Sequence, residues 1–307
     1  MDNSFAKVLS FAAFIVLGCI LRRVGILKPE AFSAISGLVL NVTIPAVIIT
    51  NLNGVRIEGV MLGVAALGLL SNVVLLAWAL FLTRGIGDRD RRDFMRLNLG
   101  GYSVGPFALP YVQAFYPTTG LITTCMFDVG NVLMSGGGTY AVIAGTRVRM
   151  PFFKTIAAII GKLLRSGPLV TFAFVGILSA FSLRLPDAVI TCTSVAAQAN
   201  TFLCMIMIGE SINLSMNAVK FGIIVRMLAQ RWIVCILIAI GFYFLLPFEE
   251  EVRRALTLTV LSPIPAMSLI FTAKLGGDIS MAANLSSLSV GCSIIGMSAA
   301  LTLFGVI

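Results

Sequence analysis

Apolar residues run for about twenty positions at a time along this chain, and short polar stretches separate the runs. A helix rises 1.5 Å per residue, so about 20 apolar residues cross a hydrocarbon layer about 30 Å thick. Ten runs reach or approach that length: 5–21, 31–52, 60–82, 97–116, 120–145, 167–181, 188–212, 221–246, 255–275 and 280–307. They do not alternate with period two, which argues against a β-barrel. The pattern therefore predicts an all-α membrane protein of ten transmembrane helices. Too little chain remains between the runs for a soluble domain. The segment 151–165 differs, because Lys154, Lys162 and Arg165 share one face of an otherwise apolar helix. It is expected to lie on the membrane surface as a linker helix.

Two runs are interrupted. The fourth contains Gly100, Gly101, Ser103, Gly105, Pro106 and Pro110, and the ninth contains Ser262, Pro263 and Pro265. Proline removes a backbone donor and clashes with an earlier carbonyl, so neither run is expected to be one continuous helix. The second run has a milder break at Pro45. Non-helical backbone at membrane depth persists only where it is buried or lines a cavity.

The order of features repeats. Pro29-Glu30-Ala31 opens the second run, and Pro186-Asp187-Ala188 opens the seventh, 157 residues later. Arg91-Arg92 precedes the fourth run, and Arg253-Arg254 precedes the ninth, 162 residues later. The chain is thus expected to comprise two five-helix repeats, 1–150 and 151–307, the second also holding the linker helix. An odd number of spans per repeat inverts the second copy. Inverted repeats with matched broken helices mark secondary transporters, and the breaks mark the binding site.

Composition then restricts the chemistry. The chain has 307 residues, 58% hydrophobic and 11% charged, with a net charge of +9. Ordinary soluble domains carry about 25% charged residues. Lys and Arg collect after the odd-numbered runs, at Arg22, Arg23 and Lys28, Arg84 to Arg96, Arg147 to Arg165, Lys220 and Lys274. Only Arg56, Arg184, Arg253 and Arg254 follow even-numbered runs. The asymmetry predicts a cytoplasmic-membrane protein with the odd connections inside and both termini outside. It also explains the positive charge without nucleic acid. The start, Met1-Asp2-Asn3, has only Lys7 ahead of the first apolar core, so that run is expected to be retained and not cleaved as a leader. There is no histidine. Histidine-based catalysis and histidine metal sites are excluded, no catalytic or metal-ligating set is expected, and no cofactor is implied. The six cysteines form no CxxC pair and are expected to be buried free thiols.

The candidate site residues follow from these breaks and from buried polarity. The half-helix starts near Gly105, Pro106 and Pro265 offer free N–H groups suited to an anion. Asn41, Ser103, Asn131 and Gln198 are candidate hydrogen-bonding residues, and Asn41 and Gln198 share the 157-residue offset. Asp128 is a candidate proton or cation site, or a brace for a helix break. Arg231 is a candidate counter-ion for the anion, or a partner of Asp128. Pro45, Pro110 and Pro263 are the expected helix breaks.

Several segments resemble the auxin efflux carrier family, in particular bacterial members described as malate or malonate permeases. They are Leu40-Asn41-Val42-Thr43-Ile44-Pro45-Ala46, Tyr102-Ser103-Val104-Gly105-Pro106-Phe107-Ala108-Leu109-Pro110, Phe127-Asp128-Val129-Gly130-Asn131, Ser262-Pro263-Ile264 and Asn284-Leu285-Ser286-Ser287-Leu288-Ser289. The resemblance implies ten helices in inverted repeats, with the fourth and ninth broken and crossing at mid-membrane. It also implies a homodimer that transports organic anions by an elevator-like movement of a crossover domain. The family usually has Asn where this chain has Ser103. The bile-acid/sodium symporter family has a related fold, so the alternative expectation is a sodium-coupled symporter of a larger amphipathic anion. Coupling to protons or sodium is open at this stage.

Overall fold

The computed structural model describes residues 2–28, 31–55, 61–145, 167–212 and 218–306, and their regular structure is helical throughout. The amphipathic segment 151–165 lies outside the described residues. Twelve helices are described. They are α1 Asp2–Arg23, α2 Ala31–Leu52, α3 Met61–Leu82, α4 Arg89–Leu99, α5 104–115 and α6 119–145. After them come α7 Gly167–Ala180, α8 Asp187–Ser211, α9 Ala218–Leu245, α10 Glu250–Val260, α11 Met267–Lys274 and α12 Ile279–Leu303. Five of them, α2, α3, α8, α9 and α12, are long and apolar enough to cross a membrane. Large apolar side chains such as Leu62, Leu237 and Ile295 face outward and exposed. That arrangement suits a hydrocarbon surrounding better than water.

Two helices begin earlier than the hydrophobic pattern suggests. α4 takes in the charged stretch from Arg89, because the Asp88 carboxylate accepts from the N–H groups of Asp90 (3.0 Å) and Arg91 (3.3 Å). α10 starts at Glu250, with Glu250 and Glu251 in the first turn, where the helix dipole favours acids. Hydrophobicity alone cannot register either start.

α2 and α5 contain π-helical turns, Val39–Thr43 and Val104–Ala108, directly ahead of Pro45 and Pro110. The wider turn accommodates the missing N–H, so the chain stays helical through both prolines. The interruption of the fourth run thus lies at residues 100–103 and not at Pro110, and α2 is bulged at Pro45 without breaking.

The helices sort into two groups. A panel consists of α1, α2, α7 and α8; a core bundle consists of α3 to α6 and α9 to α12. Small residues let the axes approach closely. A Cβ on Gly209 of α8 would stand 2.0 Å from the Ile15 carbonyl of α1, and one on Gly18 would stand 2.4 Å from that of Ile206. In the core bundle, a Cβ on Gly130 of α6 would stand 1.9 Å from the Ala65 carbonyl of α3. α2 and α8 run antiparallel, as the hydroxyl contacts Thr43 to Asn200 (2.8 Å) and Thr50 to Thr193 (2.9 Å) require. The panel takes helices from both ends of the chain, as does the core bundle. Panel and core meet where α1, α2 and α8 border α5, with Phe11 edge-on to Tyr111 at 5.3 Å between ring centroids. Of the six free thiols, Cys125, Cys204 and Cys235 are buried and Cys192 is exposed on the outer face of α8.

Candidate functional site

The two interruptions meet. α4 stops at Leu99 and α5 starts at Val104, while α10 stops at Val260 and α11 starts at Met267. The halves pack crosswise, α4 on α11 and α10 on α5. The Asn98 amide donates to the Thr272 hydroxyl across the first of these contacts (2.9 Å). At the centre, the Ser103 N–H donates to the Pro263 carbonyl at 2.9 Å, a direct backbone link between the breaks. Gly101 has φ +82°, and a Cβ there would stand 2.7 Å from Cγ of Pro265. Only glycine meets both demands. The Ile264 N–H is taken up by the Ser289 hydroxyl (3.1 Å).

Arg231 of α9 holds the same crossing from behind. It is 2% exposed. Its Nη1 donates to the Leu99 carbonyl (2.8 Å), and its Nη2 donates to those of Gly101 (2.7 Å) and Ser262 (3.2 Å). Its guanidinium lies 5.3 Å from the Tyr102 ring. These carbonyls sit at the C-terminal ends of α4 and α10, where helices leave acceptors unpaired and carry partial negative charge. The charge is thus met by backbone dipoles. Asp128 takes a different partner.

That partner is Asn131, one turn along α6 and 2% exposed. Its Nδ2 donates to Asp128 Oδ1 (2.8 Å) and to the Tyr102 carbonyl (3.0 Å). Its Oδ1 accepts from the Tyr102 N–H (3.2 Å) and from Asn72 of α3 (3.1 Å). Asn131 therefore grips both polar backbone atoms of one residue inside the break. Asp128 is half-buried, and its Oδ2 has no hydrogen bond among the described residues. A Cβ built on Gly105 would stand 4.0 Å from that oxygen, 3.7 Å from Ile44 Cδ1 and 4.0 Å from Leu40 Cδ2. The start of α5, the free oxygen of Asp128 and the bulged turn of α2 thus border one spot between core and panel. The Ser103 hydroxyl makes no hydrogen bond among the described residues, and no side chain caps either α5 or α11. Pro106 lies in the first turn of α5, half-buried.

Other candidates lie elsewhere. Asn41 is exposed, bonds the Gly37 carbonyl of its own helix (2.9 Å) and sits beside Gly167 of α7. Gln198 is exposed on α8. Neither side chain is hydrogen-bonded to the crossing among the described residues. The sequence reading did not place Thr43, Asn72 or Asn200 among the site residues. Asn200 is fully buried and accepts from Thr43, while its Nδ2 has no partner among the described residues. The 157-residue offset that pairs Asn41 with Gln198 also pairs Thr43 with Asn200, and that signal was available. Among the described residues, no cluster of His, Cys, Asp or Glu is arranged to hold a metal.

No family model matches the chain. Over 138 residues it is 28% identical to a protein of Methanothermobacter thermautotrophicus named as an uncharacterized transporter. The match covers 43% of this chain and 45% of that protein, so it spans less than half of the relative's length. The described residues are therefore all-helical in their regular structure, with five helices among them fit to cross a membrane, and the chain is similar over part of its length to a transporter.

Proposed function

We propose that this chain is a secondary transporter of a small organic anion, a carboxylate, working by alternating access in the cytoplasmic membrane. The carrying observation is the joined pair of helix breaks, tied by the Ser103 to Pro263 backbone bond and held from behind by Arg231. Such breaks at membrane depth are the usual place for substrate in transporters with inverted repeats. Counting α4 with α5 and α10 with α11 as composite spans gives ten crossings, five in each repeat. The similarity to a transporter points the same way.

In this reading the uncapped starts of α5 and α11 face the carboxylate, and the Ser103 hydroxyl supplies a hydrogen bond. Asp128, through its free oxygen, binds a proton or cation. Asn131 and Arg231 brace the break. The core bundle moves against the panel, in the manner of an elevator, and a second copy of the chain pairs with the panel. No catalytic step, cofactor or nucleic acid belongs to this reading.

The test is uptake into proteoliposomes from a panel of mono-, di- and tricarboxylates, with sodium or potassium outside and with or without a pH gradient. Concentrative or exchange flux of at least one small carboxylate is expected. Absence of flux for every anion, with folded and inserted protein, contradicts the reading. Flux confined to large amphipathic anions and dependent on sodium favours the symporter alternative instead.

A further inference from the structure

A second site lies between α4 and α9. A cavity of about 500 Å³ opens between the 83–88 turn, α4 and α9. Its apolar wall is Leu82, Met95 and Met227, and its polar wall includes Arg91, Arg226 and Gln230. The two guanidinium groups make no hydrogen bond or ion pair among the described residues. Asp88 also borders the cavity, but one of its oxygens already caps α4. Two uncommitted arginines beside a half-open cavity make a receptor for a phosphate, because the planar fork matches phosphate oxygens in pairs. The volume is in the usual range for a small-ligand site. Phe81 and Val225, on the adjoining helices α3 and α9, are 56% and 45% exposed and continue the apolar wall outward.

We propose that this cavity binds the phosphate of an anionic glycerophospholipid, with the acyl chains lying along the outward faces of α3 and α9. The same phosphate chemistry also suits a free glycerol phosphate. A zwitterionic lipid is disfavoured, since its ammonium adds a cation next to two arginines. The site adjoins the crossing through Leu99, which borders the cavity and whose carbonyl accepts from Arg231. It requires no assumption about the transported substrate.

Native mass spectrometry and thermal unfolding of the purified full-length protein in detergent test this. The probes are phosphatidylglycerol, phosphatidylcholine and glycerol 3-phosphate. Phosphatidylglycerol is expected to bind and to raise the unfolding temperature, with phosphatidylcholine weaker. Arg91→Gln and Arg226→Gln, both at exposed positions, are each expected to weaken the binding about tenfold, the scale of one lost charged hydrogen bond. Arg23→Gln is exposed but outside the cavity, and is expected to leave it unchanged. Binding of glycerol 3-phosphate that is lost in the same two variants keeps the site and assigns it to a soluble phosphate. Equal binding of both lipids, an equal loss in Arg23→Gln, or no loss in either cavity variant overturns the proposal.

Discussion

At Asn131 both amide atoms are saturated, since Oδ1 accepts two hydrogen bonds and Nδ2 donates two. An amide has no further capacity, so Asn131 shapes the break and leaves contact with a substrate to its neighbours. Asp128 keeps one oxygen free beside Gly105. Asp128→Asn can still accept from Asn131 through its amide oxygen. It is expected to change stability by less than about 1 kcal/mol, yet to lower carboxylate flux about tenfold or more, the effect of one lost contact of about 1.4 kcal/mol. Thermal unfolding and flux measured on the same preparation separate the two effects. Arg231→Leu strips donors from three carbonyls in one step, and a loss of at least about 3 kcal/mol is expected in thermal unfolding. Arg231→Lys recovers only part, because a point charge cannot reach across both breaks as the fork does. Sequence alone marked Arg231 as an intramembrane charge worth testing. It could not show that the charge faces carbonyls, because those acceptors come from Leu99, Gly101 and Ser262, far away in the chain.

Helix contacts turn on where a methyl group fits. Gly130→Ala and Gly209→Ala push a Cβ into a carbonyl of the neighbouring helix, and each is expected to cost about 1–3 kcal/mol in thermal unfolding. Gly105→Ala meets nothing closer than 3.7 Å, so the fold is expected to survive it while flux changes, because the methyl enters the spot beside Asp128. At the start of α12, Asp278 accepts from Lys220 (2.7 Å) and from the Met281 N–H (2.9 Å). The Lys220 bond and the Met281 N–H hold its carboxyl below the usual carboxylate range. A depressed folded value means that the contribution is present above the unfolded value and is lost as pH falls through the folded one. Asp278→Asn is thus expected to lower stability at neutral pH by up to about 1 kcal/mol, with the difference shrinking as pH drops below about 4. The apolar, all-helical character and both interruptions were legible because hydrophobic length and proline act locally. The π-helical turns before Pro45 and Pro110 were not, because a proline specifies a lost donor but not how the helix accommodates it. The charged starts of α4 and α10 were missed because a cap and a dipole, and not hydrophobicity, set them.

At the scale of the whole molecule, the sorting into panel and core bundle cuts across the two halves of the chain. Tandem features at offsets of 157 and 162 residues led to the expectation of a repeat, but no local pattern tells which helices of each half pack together. That depends on long-range contacts such as Gly18 with Gly209 and Thr43 with Asn200. Panel and core touch at α5 through Phe11 and Tyr111, which offers a reversible lock. The decisive measurement is carboxylate flux in proteoliposomes carrying Phe11→Cys with Tyr111→Cys on a background free of other cysteines, joined by a short thiol cross-linker that a reductant can cleave. Sliding of the core bundle past the panel predicts that flux stops on cross-linking and returns on reduction. Undiminished flux in the cross-linked protein, or none in the reduced and folded protein, contradicts it.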